Sequence, residues 1–476
     1  MSLFTKIGEY LPSIKKPEKN VSFKNKMIWT VTILVLYFIM SEIYVVGGIP
    51  EQMGEFQALQ TIMGSEIGTL VTLGIGPIIT ASIILQLLVG ADIIPWDLNN
   101  PVDKEKFQNS QKLLAYIFGF VQSFAFVAMG AITPMSGFFG VVVAQLALGS
   151  WLIIMMDEVI SKWGFHSGVS LFILAGVAKT IFIRLLSPFT MAGELWFLTG
   201  GEAPAGALLQ FITGTFSATT ISGLIFTIIV FLISAYAYNM RVEIPLTFGN
   251  VRGFGRKWPL KFLYTSVMPV IFVSAIASNL SLWISLATQR GLELSFNLPF
   301  MEEPFYIFGQ FTAEAGASYN SLIYYFTTPT NVPQTIWNSI TTGTLQFSIP
   351  EIIQIFSYTG FYVVLGAVFS VFWMKTSGQD PSSVADQIMN IGMKVPGFRK
   401  DKRVIVKILN RYIPALSVLG GAFIGFLAAL ANFTDAFGTG TGILLAVFIS
   451  FQLYEEIVKK HMEDMHPALR NFMGSF

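Results

Sequence analysis

The sequence predicts an all-α membrane protein with ten transmembrane helices. Three observations carry the prediction: composition, the length of the apolar runs, and the placement of basic residues. Of 476 residues, 53% are hydrophobic and 12% charged, with a mean hydropathy of +0.63. Soluble domains carry about 25% charged residues. One core cannot withdraw this much apolar surface from water, so most of it must face lipid. The net charge of +1 says little until its distribution is followed along the chain.

A spanning helix needs roughly 20 mostly apolar residues. Such runs lie near 27–46, 67–89, 112–132, 137–157, 168–187, 219–240, 262–284, 351–374, 412–433 and 440–457. The fifth holds Lys179 and Arg184, the cations in the interior of the runs, and the tenth opens on a glycine-rich stretch. With the N-terminus placed in the cytoplasm, 26 of the 29 Lys and Arg fall in inside segments and one, Arg290, falls outside. One missed or surplus helix would invert every loop downstream, so this asymmetry supports both the orientation and the helix count. It predicts a multi-pass protein with both termini cytoplasmic. The first 26 residues are polar and basic and lead into a run of full spanning length, which reads as a retained first helix rather than a cleaved leader. Ten helices divide into two halves of five, residues 1–218 and 219–476. Halves with an odd number of helices enter the membrane from opposite sides, the parity an inverted repeat requires.

Two inside loops are strongly basic. Segment 241–261 has five Lys and Arg against Glu243, and 375–411 has eight against Asp380, Asp386 and Asp401. Membrane topology alone accounts for some of this charge. The loops also carry Gly, Pro and aromatic residues, which suits a structured surface that docks on lipid headgroups or RNA phosphates. The outside segments 187–218 and 285–350 are nearly free of Lys and Arg. Their aromatic runs, LWFLTG and FYIFGQF, suit the membrane interface.

Residues 51–66, EQMGEFQALQTIMGSE, are too short and polar to span. Phe56, Leu59 and Met63 nevertheless share one helical face. The segment fits an interfacial helix, a plain loop, or a re-entrant half-helix enclosed by protein. The second helix contains Gly74, Gly76 and Pro77 with Thr72, Thr80, Ser82 and Gln86. Close helix packing explains the glycines. A helix that loosens at its middle, moves, or lines an aqueous path explains them equally.

Catalytic signatures are missing. Cysteine is absent and His166, His461 and His466 are scattered, so no metal or thiol chemistry is expected. No phosphate-binding glycine loop, dinucleotide fingerprint or HExxH motif occurs. The expectation is a non-enzyme without cofactors. Scarce ionisable residues in the spans also weaken an ion-coupled transporter.

Several stretches identify the chain as resembling the SecY family. Residues 69–88, TLVTLGIGPIITASIILQLL, resemble the family's second-helix signature, and 153–173, IIMMDEVISKWGFHSGVSLFI, its second signature. RVEIPL, PGFR and ANFTDAFGTGTGILL are similar too, and the likeness runs in order along nearly the whole chain, in archaeal style. One departure is His166, in a turn where the family more often has a small residue, commonly glycine.

The resemblance implies the pore-forming subunit of a protein-conducting channel in the plasma membrane. Two pseudo-symmetric halves would enclose an hourglass pore, with a re-entrant plug helix near 55–65 bearing Phe56, Leu59, Ile62 and Met63. It places a narrow aliphatic ring at Ile75, Ile79, Val169, Ile173, Ile271 and Leu445. It implies a lateral gate between helices two and seven with Thr80, Gln122 and Asn279 at its polar cluster. It makes Arg252, Arg256, Lys257, Arg399, Lys400, Lys402 and Arg403 candidate ribosome contacts. The implied partners are a SecE/gamma subunit, a small beta subunit, the ribosome, signal-sequence-bearing nascent polypeptides and membrane lipid.

Overall fold

The structure is a computed structural model. It describes residues 12–464 apart from 51–67, 92, 99, 129, 191–194, 198–202, 216, 249–254, 266–267, 290–294, 297–304, 307–310, 313–315, 318–320, 330–331, 345, 391–392, 395–400 and 435. A helix occupies each expected apolar segment. In order these are α1 (Phe23–Ser41), α2 (Gly76–Gly90), α3 (Pro101–Ala128), α4 (Phe139–Trp163), α5 (Gly168–Leu186), α6 (Ala218–Asn239), α7 (Met268–Gln289), α8 (Ile349–Thr376), α9 (Lys402–Phe433) and α10 (Gly440–Asp464). Among the described residues, eight of these are long and apolar enough to cross a membrane, while Gly76–Gly90 and Met268–Ala277 are shorter apolar stretches.

The boundaries differ from the hydropathy runs for local reasons. The helices α3 and α9 begin well upstream of their apolar runs, and α10 continues past its own. These extensions are polar, and hydropathy does not register a helix that leaves the lipid. The Asp401 carboxylate caps α9 by accepting the Arg403 N–H at 2.9 Å, and a capping box between Ser348 and Glu351 opens α8.

The largest correction concerns α2. Residues 68–75 form turns, and Gly76 and Pro77 open the helix instead of loosening its middle. Proline is favoured at a first helical turn because the N–H it lacks has no intrahelical acceptor there. Gly74 adopts φ +48°, a backbone conformation that suits glycine. The plug region, 51–67, lies outside the described residues.

Small sheets supplement the helices and were not expected. Outside the bundle, β1 (Gly48–Pro50) pairs antiparallel with β2 (Ile132–Pro134), joining the α1–α2 and α3–α4 connections. On the other face, β3 (Arg241–Phe248) pairs with β4 (Gly255–Lys261), and its far edge pairs with β5 (Met393–Lys394) through Thr247↔Lys394 and Phe248↔Met393. Loops expected on one side of the membrane therefore pair with each other, as the orientation requires.

One apolar cluster runs through both halves, which meet along two seams. In the first, α2 packs on α7 and α8. Across it the Phe372 ring of α8 lies on Gly90 of α2, and on the α7–α8 side Phe272 meets Phe369 and Trp373 edge-on. In the second, α5 and the start of α1 meet α10. This seam is polar at its end, where the Phe23 N–H donates to Asp464 Oδ2 at 2.6 Å and His166 Nδ1 lies 3.3 Å from Glu456 Oε2.

Within the second half, α8 and α9 approach through glycines. A Cβ on Gly425 would stand 2.3 Å from the Tyr362 carbonyl oxygen, and one on Gly421 would stand 2.5 Å from that of Gly366. Small residues allow such backbone contact in lipid, where the gain is van der Waals packing. Gly425→Val should therefore push α8 from α9 and cost about 1–3 kcal/mol, the usual range for overpacking. Thermal melting in detergent would register this as a lowered midpoint, and an unchanged midpoint would refute the contact.

Candidate functional site

The six ring candidates all lie in the first turns of their helices or just ahead of them. Ile75 is the N-cap of α2, and Ile79 follows one turn later on the same face. Val169 and Ile173 repeat that spacing at the start of α5, while Ile271 and Leu445 lie near the starts of α7 and α10. Ile75, Ile79, Ile173, Ile271 and Leu445 are buried in the shared cluster, and Val169 packs against it half-buried. The six come from α2, α5, α7 and α10, two helices in each expected half.

The approach to Ile75 is non-helical yet buried. Thr69, Val71, Thr72, Leu73 and Ile75 are almost fully withdrawn from solvent. Their backbone groups find partners locally: Leu70 N–H donates to the Ile43 carbonyl at 2.9 Å, Gly74 to Val71 at 2.8 Å, and Gly76 to Leu73 at 3.0 Å. The Thr72 hydroxyl accepts the Gly68 N–H at 3.0 Å and donates to the Thr69 carbonyl at 2.6 Å. Gly149 of α4 makes room for this stretch, since a Cβ there would stand 1.9 Å from the Leu70 carbonyl oxygen.

Sequence reasoning missed Asp157. Late in α4, it accepts the Val169 N–H on Oδ1 at 2.9 Å and so holds the start of α5. Its signal was legible in outline: an acid upstream of a Ser-Gly helix start, where an unpaired N–H needs an acceptor. The neighbouring Glu158 pairs with Lys112 at 2.8 Å and Lys162 at 2.6 Å. His166 has φ +60°, which explains why a small residue suits that turn.

The polar gate candidates are brought together only in part. Gln122 Nε2 donates to the Thr80 hydroxyl at 3.2 Å, linking α3 to α2 within one half. Asn279 donates to its own helix, to the Ala275 carbonyl at 2.7 Å. Gln122 Oε1 is buried without a hydrogen-bond partner. Lys179, one of the two intramembrane cations, pairs with Glu42 at 2.7 Å.

Of the basic candidates, Arg252, Arg399 and Lys400 lie outside the described residues. Arg256 and Lys257 stand in β4. Lys402 pairs with Asp386 at 2.7 Å, and Arg403 is exposed at the start of α9. The β3–β5 pairing joins the two basic loops into one platform.

Comparison with known proteins agrees with this geometry. The SecY family model matches residues 69–454. "Protein translocase subunit SecY" of Methanocaldococcus jannaschii is 40% identical over 474 residues, spanning 98% of both chains. A solved structure of "a protein conducting channel" superposes with a TM-score of 0.80 at 39% identity, covering 98% of this chain and 99% of the other. Sec61 in the canine ribosome-channel complex from the endoplasmic reticulum gives a TM-score of 0.76 at 38% identity over 98% and 99% of the two chains. Signatures, fold and near full-length identity converge: the chain is a multi-pass membrane protein that belongs to the SecY family of protein-translocation channels.

Proposed function

We propose that the chain forms the pore through which secretory polypeptides cross the plasma membrane, and that it releases transmembrane segments sideways into lipid. The observation that supports this reading is that Ile75, Ile79, Ile173, Ile271 and Leu445, from four helices, are buried in one apolar cluster, with Val169 packed against it. A constriction of branched apolar groups tends to dewet, so ions cross it poorly. The same groups bind no particular sequence and can yield around any passing chain. A secondary transporter would instead place ionisable or ion-coordinating groups at the midplane.

The pore is passive on this reading, with a docked ribosome supplying direction. The likeness to a channel in a ribosome-channel complex supports this, as does the basic platform of β3, β4 and β5. Sideways release fits the first seam, where α2 meets α7 and α8 through apolar contacts that a hydrophobic signal helix can replace. A SecE/gamma subunit and a small beta subunit would complete the complex, with both termini of this chain cytoplasmic. Copurification of small single-span partners and of ribosomes separates this reading from a transporter or scaffold.

Because the chain lacks cysteine, a single Ile79→Cys substitution gives an unambiguous probe. Oxidation against an arrested secretory chain should form a disulfide only when the client cysteine is tethered at mid-membrane depth. Absence of adduct at every tether length, with ribosome binding intact, would remove Ile79 from the path. Asn279→Leu should relax signal-sequence dependence by altering the seam between α2 and α7, as measured by export of clients with weakened signals; unchanged dependence would count against a gating role. Arg399→Gln should weaken ribosome binding and lower the slope of log affinity against log salt by about 1, the effect of losing one phosphate contact. An unaltered slope would exclude Arg399 from the interface.

A further inference from the structure

The turns that lead into α5 and α10 share a construction. His166 and Thr439, both at φ +60°, are the non-glycine residues of left-handed backbone among the described residues, and each stands just before a helix-opening glycine. Neither glycine has room for a side chain. A Cβ on Gly168 would stand 2.5 Å from the Asp157 Cα, and one on Gly440 would stand 2.2 Å from the Ala431 carbonyl carbon. The next residue in each helix donates its N–H to a side chain late in the preceding helix. Val169 donates to Asp157 Oδ1 at 2.9 Å, and Thr441 donates to Asn432 Oδ1 at 3.2 Å. Ile173 and Leu445, both fully buried in the cluster, stand at the same distance along the chain from their respective glycines.

The first N–H groups of a helix have no intrahelical acceptor. An acceptor held on another helix therefore fixes both where the new helix starts and how it is rotated. Asn432 is itself held, because its Nδ2 donates at 2.8 Å to the hydroxyl of Tyr358, which also accepts from Thr328 at 3.2 Å. Asp157 is placed by α4, whose backbone touches Gly168 directly. Ile173 and Leu445 lie within the first two turns beyond these caps, too close for the helix to absorb a slip at its start.

We infer that Asp157 and Asn432 are positioning residues, one in each half, that set the depth and rotation of Ile173 and Leu445 in the constriction. The inference rests on the ring assignment proposed above. The caps sit at corresponding junctions, α4–α5 and α9–α10, but at different chain distances from their glycines. The correspondence is one of construction, which is why aligning the two halves by sequence does not reveal it.

The test is the resting ion conductance of the purified full complex in planar bilayers, with thermal melting of the same preparations. Asp157→Ala and Asn432→Leu remove the acceptors and should each raise resting conductance several-fold. Asp157→Asn keeps an acceptor oxygen and should remain at the wild-type value. Folded Asp157→Ala and Asn432→Leu proteins that conduct like wild type would overturn the inference, as would an Asp157→Asn protein that leaks as much as Asp157→Ala. If the deletions do not fold, hydrogen exchange on the unaltered complex decides. Slow exchange of the Val169 and Thr441 amides supports the caps, and exchange at the rate of free amides overturns them. Single cysteines at Ile173 and Leu445, oxidised against an arrested client, test the ring separately. Conductance that follows the caps while neither cysteine forms an adduct would sink the ring assignment and leave the caps' effect on closure standing.

Discussion

Backbone hydrogen bonding in the absence of water is the constraint on which the rest of this structure depends. In lipid every N–H and C=O must find a partner within the protein, so the chain crosses as helices. Departures from helix are tolerated only where protein encloses them. Residues 68–75 are such a departure: buried, turned, and bonded through Thr72, Ile43 and their own carbonyls. This enclosed stretch leads buried into α2, whose start contributes Ile75 and Ile79 to the shared apolar cluster. The starts of α5 and α10 solve the same problem with side-chain acceptors.

The two seams divide the labour of holding the halves together. Bonds from Phe23 to Asp464 and from His166 to Glu456 tie α1 and the α4–α5 turn to α10. The Phe372 ring of α8 on Gly90 joins α2 to α8, and aromatic contacts between α7 and α8 stand behind it. Apolar contact is non-directional and is replaced at little cost by another apolar surface, whereas a hydrogen bond holds its partners to one distance and direction. On the function proposed above, the seam of α2, α7 and α8 is the one that parts against lipid, while that of α1, α5 and α10 keeps the halves in register.

The sequence disclosed the fold class because composition, run length and charge asymmetry each report on the bilayer. It pointed to the proposed ring through the two signatures, which together carry four of its members, Ile75, Ile79, Val169 and Ile173. It did not disclose where helices continue into water, as at the start of α9, because hydropathy ends with the lipid. It also misplaced Gly76 and Pro77 in the middle of α2, since a glycine-proline pair within an apolar run fits an interruption as well as a beginning. Asp157 was passed over because its partner, the Val169 N–H, is a backbone group that residue-type reasoning does not register. Asn279 was grouped with Thr80 and Gln122, yet only two of the three meet, because a polar side chain can turn back onto its own helix.

The edge pairing of β3 with β5 joins charges separated by more than a hundred positions in the chain. A partner that meets one loop meets the other at an effective concentration fixed by the sheet rather than by two independent tethers. Contacts too weak to hold alone then act as a chelate. Release requires both loops to let go together, so the strength of docking depends on the stiffness of this small sheet as much as on the charges it presents.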